Sequence, residues 1–592
     1  MKRVLFLVFF LLLFLVVNAQ EPISFRSRAL GGAIDDDADL IYDPIELRFV
    51  DGFHLYTNLS NFTSNNEQFI NNVSDNEFLL GSSLKNPFLK NLWTSFLWRF
   101  RNTKTPWAVA IDEDLNGTND IFGNGELTSN YVKFFDTDND GFYEQKRTIL
   151  QKIEDSSNWD GNNFVFNNSY GFDTFTVGAK IAFGSEKFKS NESSNNFWTN
   201  QHFINFGDPS FDIDFADYDL DNQEDLITYT EKGSFSNEDD EKFTLFNIAF
   251  MMPEFMGYEL RGDFVYRTFS EKEEVRDKFN YTEIDKTGPD TITEKENESI
   301  EEDTEESGNV MSLGVSVRKN IGKNNDRKNS HFWQVGCGFG FGSGDYTNNM
   351  THKSDYIEET PNWAGGTEKR VERHDITVIE EDEGDLSLSR FGLFARYNYP
   401  INKRVIFGIG SNYTSQKTKR ETDYLDSYYE YESDIIGSFD DPGDTKETWT
   451  RDLNANRTFE VTFSEFEVPF GIEYKFTKNE KWAFRVGSNF TKTCVKEEDK
   501  KDYIYTEQQG LWHYVLEHGD GQGDIDEYHD DFYTSESEID ETTDSITMYS
   551  YGIGYQPTEN LQIDFLGMFD NAAANDVTQF FRNLRISFML KF

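Results

Sequence analysis

The sequence is short of cysteine, proline and basic residues. Its 592 residues include only two cysteines and twelve prolines. Cys337 and Cys494 are too few for a disulfide-stabilised scaffold, and the strand order predicted below keeps them on strands that are not neighbours. Scarce proline and an aromatic content of 16% favour many β-strands over a disordered acidic chain.

Acidic residues greatly outnumber basic ones. The chain has 56 lysines and arginines against 107 aspartates and glutamates, which gives a formal net charge of −51 at pH 7. This charge argues against nucleic acid and anionic surfaces as partners and makes cations the natural counterpart. Two simpler explanations stay open for most of it: a solvated acidic surface, and adaptation to a salty medium.

Long apolar runs are missing after the first residues. The apolar run Val4–Val17 follows Lys2 and Arg3 and leads to Ala19, which predicts a secretory signal peptide at residues 1–19. No later segment approaches the length of a membrane-spanning helix, so membrane residence requires a closed β-barrel. Such a barrel would place the protein in the bacterial outer membrane, in contact with its lipid, and the strand pattern below favours this location.

The last stretch, Phe580–Phe592, alternates apolar and polar residues with a period of two. Such a strand, ending on an aromatic residue, is typical of the last strand of an outer-membrane barrel, with one face to lipid and one to the lumen. An edge strand of a soluble β-sandwich is the alternative. We expect Phe588, Leu590 and Phe592 to form the signal that the barrel-assembly machinery engages.

Short turns alternate with long acidic stretches in the second half of the chain. Turns at 253–257, 400–403, 477–481 and 556–560 join strand pairs, and acidic stretches separate the pairs at 270–309, 345–385, 416–458 and 496–544. Short turns at one end and long extracellular loops at the other are typical of outer-membrane barrels. The pattern predicts an all-β fold, a transmembrane antiparallel β-barrel of about 14–16 strands over residues 75–592.

Residue parity within the predicted strands separates an apolar face from a charged one. Phe391, Leu393 and Tyr397 share one face, for example, and Arg390 and Arg396 share the other. The charged lumen set is mixed in sign and comprises Lys180, Glu259, Arg261, Asp263, Arg267, Arg390, Arg396, Glu465, Glu467 and Arg485. We interpret it as ion pairs that stiffen the wall or hold a plug, with a selective pore lining as the alternative.

Two aspartate-rich runs resemble the short calcium loops of secreted bacterial proteins. In the first, alternating aspartates precede Gly141, a spacing that turns carboxylate oxygens inward in EF-hand loops, but Arg147 stands at position twelve. The predicted ligands are Asp136, Asp138, Asp140, Glu144, Asp217, Asp219, Asp221 and Asp225. Ca2+ in extracellular loops is the one cofactor predicted, divalent cations are expected partners, and solvated loops are the alternative.

The segment that follows the predicted signal peptide carries a motif. Residues Ser27–Ala33 read SRALGGA, and Asp35–Leu47 read DDDADLIYDPIEL. This segment resembles the amino-terminal part of the FadL-like outer-membrane transport family and its PorV-type relatives, with Asp43 in place of the usual Asn. The resemblance implies a barrel with an N-terminal plug or hatch, which we place at residues 20–74. A tight glycine turn leading into a soluble β-domain is the alternative.

Motifs for catalysis are missing from the sequence. The eight histidines match no helical zinc motif, and no serine stands in a nucleophile elbow, so we expect no enzyme activity. The resemblance implies passage of small solutes, hydrophobic ones included, across the outer membrane. Three alternatives stay open: a PorV-like barrel associated with secretion, a calcium-stabilised protein that binds partners at the surface or has a structural role, and, third, a membrane enzyme.

Overall fold

The computed structural model describes seventeen stretches of the chain. They are residues 24–50, 52–59, 74–89, 91–105, 110–111, 120–121, 126–135, 143–206, 226–286, 291–321, 330–361, 369–436, 444–476, 479–514, 524–530, 535–570 and 585–592. The predicted signal peptide, residues 1–19, lies outside these stretches.

Three short helices come first in the described part: α1 (Phe25–Ala29), α2 (Asp37–Tyr42) and a 3-10 helix (Glu46–Phe49). The Ser24 side chain accepts a hydrogen bond from the Ser27 backbone and caps α1, and Asp36 and Asp39 form a capping box at α2. Among the described residues, no helix is long and apolar enough to cross a membrane.

Strands make up nearly all of the remaining described chain. They are β1 (His54–Leu59), β2 (Ser74–Lys85), β3 (Leu92–Thr105), β4 (Ala110–Ile111), β5 (Asp120–Ile121), β6 (Glu126–Phe135), β7 (Tyr143–Gly171), β8 (Thr176–Phe206), β9 (Leu226–Phe255), β10 (Tyr258–Lys286), β11 (Ile292–Asn320), β12 (Phe332–Pro361), β13 (Lys369–Asn402), β14 (Val405–Ile436), β15 (Thr445–Lys475), β16 (Trp482–Tyr514), β17 (Asp524–Asp530), β18 (Ser535–Thr558), β19 (Leu561–Asp570) and β20 (Arg585–Lys591).

Sixteen of the described strands close into one antiparallel ring. Each pairs with the next along the chain, with β3 bonded directly to β7 and β16 directly to β18, and β20 pairs with β1 to close the circle. The strand β6 extends the sheet beside the far half of β7, and β17 does so beside β16. The predicted antiparallel barrel of about 14–16 strands is confirmed.

Large apolar side chains are exposed at alternate positions on the outer face of the ring. On β13, Phe391, Leu393, Tyr397, Tyr399 and Ile401 are between 38 and 54% exposed. Along a strand tilted as in known barrels, Phe391 to Ile401 spans about 25 Å, the height of the apolar band of an outer-membrane protein. Other strands contribute Phe166, Phe183, Ile248, Phe264, Leu313, Phe339, Ile409, Tyr474, Val486 and Ile553. We call this band the apolar belt, and it identifies the protein as an outer-membrane β-barrel.

Many of the strands continue far beyond the apolar belt. On β13, residues 369–389 are paired strand with mostly polar outward side chains, including the exposed Glu381, Glu383 and Asp385, and they reach roughly 50 Å past the belt. We call the parts of β7–β16 and β18 beyond the belt the projecting wall. At the opposite end, fully described connections such as the one between Asn402 and Val405 are short turns.

Paired strands occupy most of the acidic stretches that the sequence suggested were loops. In 270–309, for example, β10 and β11 pair without interruption from Ser270–Ser307 to Asp285–Ile292. The expectation of long loops was wrong here because ladder hydrogen bonds join backbones whatever the side chains are. The alternation of charges with residues such as Val275, Phe279 and Tyr281 also suits a pleated sheet.

The wall begins earlier in the chain than residue 75, the predicted start of the barrel. The strand β1 lies inside the range 20–74, and it pairs with β2 on one side and with β20 on the other. Its inward side chains, His54, Tyr56 and Asn58, are buried. Among the described residues of the predicted plug range, 24–50 form the segment described next.

Candidate solute passage

Residues 24–50, which we call the inner segment, meet strands all around the ring. Their side chains and carbonyl groups bond to β3, β7, β10, β13, β15 and β19, so the inner segment lies inside the barrel. Two wall glycines permit this close approach. A Cβ at Gly487 would lie 2.3 Å from the Gly31 nitrogen, and one at Gly178 would lie 2.5 Å from the Pro44 oxygen.

A buried ionic network fastens α1 to the wall. The guanidinium group of Arg26 donates to both carboxylate oxygens of Glu473 on β15, at 2.8 and 3.1 Å. Arg485 on β16 donates to the same carboxylate at 2.7 Å and to Asp564 on β19 at 2.5 Å. Since Arg26 also lies 3.4 Å from Asp36, every charge of the network has an opposite neighbour, as buried ions require.

Three further contacts hold the inner segment at other places around the ring. Arg261 on β10 pairs with Asp43 at 2.5 Å and with Asp263 of its own strand at 2.8 Å. Arg396 on β13 pairs with Asp35 at 3.0 Å. The ammonium group of Lys180 lies 3.7 Å from the centre of the Tyr42 ring, a cation–π contact. These predicted lumen residues therefore hold the inner segment in place.

A cavity of about 620 Å3 lies between the inner segment and the surrounding strands. It brings together six predicted lumen residues: Lys180, Arg261, Asp263, Arg267, Arg390 and Arg396. The inner segment contributes Asp35, Asp39, Tyr42 and Asp43, and the apolar part of the lining includes Leu245, Phe269, Val310, Leu386, Leu388 and Phe394. The site thus offers charged groups of both signs beside apolar surface.

The remaining predicted lumen residues are not among those that line this cavity. Glu259 is buried on β10, and Arg485 belongs to the buried network. Glu467 accepts hydrogen bonds from the side-chain amides of Asn412 and Asn489, each at 3.0 Å. Glu465 lies on the same face of β15, two residues from Glu467.

The predicted assembly residues share the outer face at the end of the barrel wall. Phe588 and Leu590 alternate on β20 with the buried Ser587 and Met589. Phe592 is 70% exposed, and its ring lies 5.5 Å from that of Phe53. Its backbone nitrogen donates to the Phe53 oxygen at 2.9 Å, so the chain end is bonded to the residue before β1.

Most of the predicted calcium ligands lie outside the described residues: Asp136, Asp138, Asp140, Asp217, Asp219, Asp221 and Asp225. Glu144 lies at the start of β7, but its side chain is likewise outside the described set. Within the part of the chain that the structure describes, no group of three or more potential ligands is arranged to hold a metal ion.

Sequence reasoning missed the partners of the inner segment. Nothing in the local spacing around Arg26 indicates Glu473, which lies 447 residues further along the chain. The one available signal is an arginine among small and apolar residues, since a cation there needs a carboxylate if the segment is buried. Strand parity marks Glu473 as inward-facing without naming the group that it meets.

No protein-family profile and no curated protein matches the chain. Similar solved structures include the toluene transporter TbuX of Ralstonia pickettii, at 9% identity and a TM-score of 0.24, with 97% of this chain and 99% of that one covered. The ferric enterobactin receptor PfeA of Pseudomonas aeruginosa matches at 8% identity and a TM-score of 0.22, with 91% and 81% covered.

The FrpB iron transporter of Neisseria meningitidis matches at 9% identity and a TM-score of 0.23, with 92% of this chain and 82% of that one covered. Likenesses this weak carry no weight in assigning a function. The assignment of the fold rests on the closed strand ladder and the apolar belt.

Proposed function

We propose that this barrel passes small solutes, hydrophobic ones included, across the outer membrane, and that the inner segment is its plug or hatch. The observation that supports the proposal best is the cavity of about 620 Å3 inside the ring. Its volume is in the range that holds a small molecule, and its lining combines apolar side chains with a few charged groups, as binding pockets do.

The way in which the inner segment is attached suits a hatch. Side chains of the strands contact residues 24–50 at several places around the ring. Arg396 pairs with Asp35, Arg261 pairs with Asp43, and the Ser95 hydroxyl donates to the Ile41 carbonyl. The inner segment can therefore shift without breaking the ladder that keeps the barrel closed.

The test is conductance and solute uptake by the purified protein in lipid vesicles. We compare the wild type with R396A, which removes the contact to Asp35. The matched control is R373A, because Arg373 on the same strand pairs with Asp375 on the outer face. We expect R396A to raise the rate severalfold and R373A to leave it unchanged. A wild type and an R396A variant that both stay sealed would refute transport.

The projecting wall favours a second candidate, a surface platform that binds partners. A wall that reaches roughly 50 Å past the belt presents a large surface outside the membrane. A PorV-like barrel that handles secreted proteins belongs to this candidate. A sealed barrel that purifies with a secretion complex would support it, whereas uptake that rises in R396A supports the FadL-like transport role.

Calcium binding by the two aspartate-rich runs is a separate part of the proposal. Bound divalent cations would reduce repulsion in a chain of net charge −51. We expect calcium to slow proteolysis within 112–161, and we expect D136N/D138N/D140N to abolish that protection. Equal rates of cleavage with calcium and with a chelator would refute calcium binding within 112–161.

A further inference from the structure

The hairpin of β10 and β11 sorts its charges between its two faces in the projecting wall. Residues 271–278 pair with 299–306 in continuous register. On the outer face every basic residue is paired: Lys272 lies 3.1 Å from Glu274, Arg276 lies 2.8 Å from Asp303, and Lys278 lies 3.6 Å from Glu301. The outer face is therefore nearly neutral.

The inner face of the same two stretches carries acidic residues and no basic ones. It presents Glu271, Glu273 and Asp277 from β10, and Glu302 and Glu306 from β11. Glu271 and Glu306 line the cavity, which shows that this face points into the barrel. Successive side chains alternate between the faces of a strand, so the position of each charged residue along the strand determines whether it faces inward or outward.

The neighbouring hairpin of β8 and β9 repeats the arrangement. On the outer face Lys187 and Lys189 pair with Glu238, and Lys242 pairs with Asp240. The inner face presents Glu186, Asp239 and Glu241. We call the inner face of residues 186–192, 233–241, 271–277 and 300–306 the acidic wall.

Neighbouring carboxylates on the acidic wall repel one another. Burial, with Asp239 and Glu306 as the next largest causes, raises the pKa of Glu271 to about 7. Burial, followed by Glu273 and Glu241, also raises the pKa of Asp239. The positive charge of a cation that enters the barrel would offset this repulsion. It would therefore favour the charged form of each carboxyl group.

A cation of the chain itself already binds to this wall. Arg420 extends from the inner face of β14 and pairs with Glu306 on β11, three strands away. Its guanidinium carbon also lies 4.4 Å from the centre of the Tyr346 ring and 5.3 Å from that of Phe459. Below it, Arg267 pairs with Glu241. The interior thus holds guanidinium groups by carboxylates and aromatic rings together.

We propose that the acidic wall makes the passage selective for positively charged small solutes. The wall precedes the cavity on the way in from the projecting end, so it raises the local concentration of cations at the cavity and lowers that of anions. Passage through the barrel rests on the proposed function above, whereas accumulation of cations at the wall does not.

Two triple variants on one hairpin test this proposal. The inner variant is E271Q/E273Q/E302Q, and the outer control is E274Q/E301Q/E305Q, which changes net charge equally. In planar bilayers with a potassium chloride gradient, we expect cation selectivity in the wild type and in the control, and a severalfold lower cation-to-anion permeability ratio in the inner variant. Anion selectivity in the wild type, or equal shifts in both variants, would overturn the proposal.

A binding measurement tests whether the acidic wall attracts cations even if the barrel proves to be sealed. We titrate the detergent-solubilised full chain with hexaamminecobalt(III), a trivalent cation, by calorimetry at low salt. We expect the inner variant to lose about tenfold in affinity for this cation and the outer control to lose less than twofold. That result would support the proposal that the acidic wall attracts cations. Equal loss in both variants refutes it. Absence of conductance with selective binding would refute transport while leaving the cation-attracting wall intact.

Discussion

At the scale of single residues, Glu473 is the centre of the attachment of the inner segment. Its carboxylate is 2% exposed and accepts hydrogen bonds from Arg26 and Arg485. Taking these ions out of water is costly, and their mutual attraction offsets that cost only while all partners are present. The network therefore specifies where α1 sits more than it adds to stability.

The variant E473Q tests this view of the network. It leaves the guanidinium groups of Arg26 and Arg485 buried with one carboxylate fewer, so we expect a loss of about 3–5 kcal/mol in unfolding free energy. Urea unfolding in lipid vesicles, followed by tryptophan fluorescence, measures it. The control E467Q lies on the same face of β15 but meets neutral amides, and should lose only about 1 kcal/mol. Equal losses would contradict this account.

The raised pKa of Glu271 leads to a prediction of how the stability of the protein depends on pH. Its pKa is raised to about 7 in the folded protein, so folding favours its protonated form. That contribution is complete below the unfolded value of about 4.3 and is lost as pH rises through about 7. We expect the urea midpoint of unfolding to decrease as the pH rises from 5 to 8, and to decrease less in E271Q. The outer-face variant E274Q should keep the wild-type dependence, and an unchanged slope in E271Q would contradict the prediction.

Residue parity could be predicted from the sequence, but residue partners could not. Alternation along the strands placed Arg261 and Arg396 on the inward face, because a strand has a fixed period of two. Their partners Asp43 and Asp35 lie in a separate segment whose position depends on the closure of the whole ring. No local spacing contains that information.

At the scale of elements, closure depends on two short strands. The strands β1 and β20 are six and seven residues long, yet they seal a ring whose other strands reach 34 residues. The backbones of Phe53 and Phe592 extend the seal by two hydrogen bonds. A strand as short as β1 gives a weak periodic signal in the sequence, which explains why the predicted wall began at residue 75.

Deletion of Phe592 should impair assembly more than secretion. It removes the last backbone pair with Phe53 and the ring that lies 5.5 Å from Phe53. The measurement is the heat-modifiable, folded fraction in outer membranes relative to the total exported protein. F88A is the control, because Phe88 is a 91% exposed aromatic residue at the same rim, and its backbone nitrogen donates to Asn86 within the turn after β2. Equal assembly of both variants would show that the chain end is not a signal.

Turn positions were easier to predict than the acidic stretches. The turn at 400–403 stands out because Pro400 and Asn402 interrupt two apolar faces. In 270–309 the charges obscure the strands, although outward Lys272 and Arg276 alternate there with inward carboxylates. Cross-strand ion pairs stabilise such a ladder without adding to its hydrophobicity, so a reading based on apolar periodicity misses it.

At the scale of the whole molecule, the arrangement of the net charge of −51 matters more than its size. Outward basic residues of the β8–β11 sector pair with outward carboxylates, whereas its inner face has an excess of negative charge. The electric field is therefore concentrated inside the projecting wall, where low-dielectric surroundings strengthen it.

This arrangement predicts that salt stabilises the protein. Exposed ion pairs contribute about 1 kcal/mol or less each, so their screening costs little. Repulsion within the acidic wall is screened strongly as the Debye length falls from about 30 Å at 10 mM salt to about 8 Å at 150 mM. We expect the urea midpoint to rise over that range in the wild type and in E274Q/E301Q/E305Q, and to rise less in E271Q/E273Q/E302Q. A midpoint that falls with salt would mean that the outer ion pairs outweigh the inner repulsion.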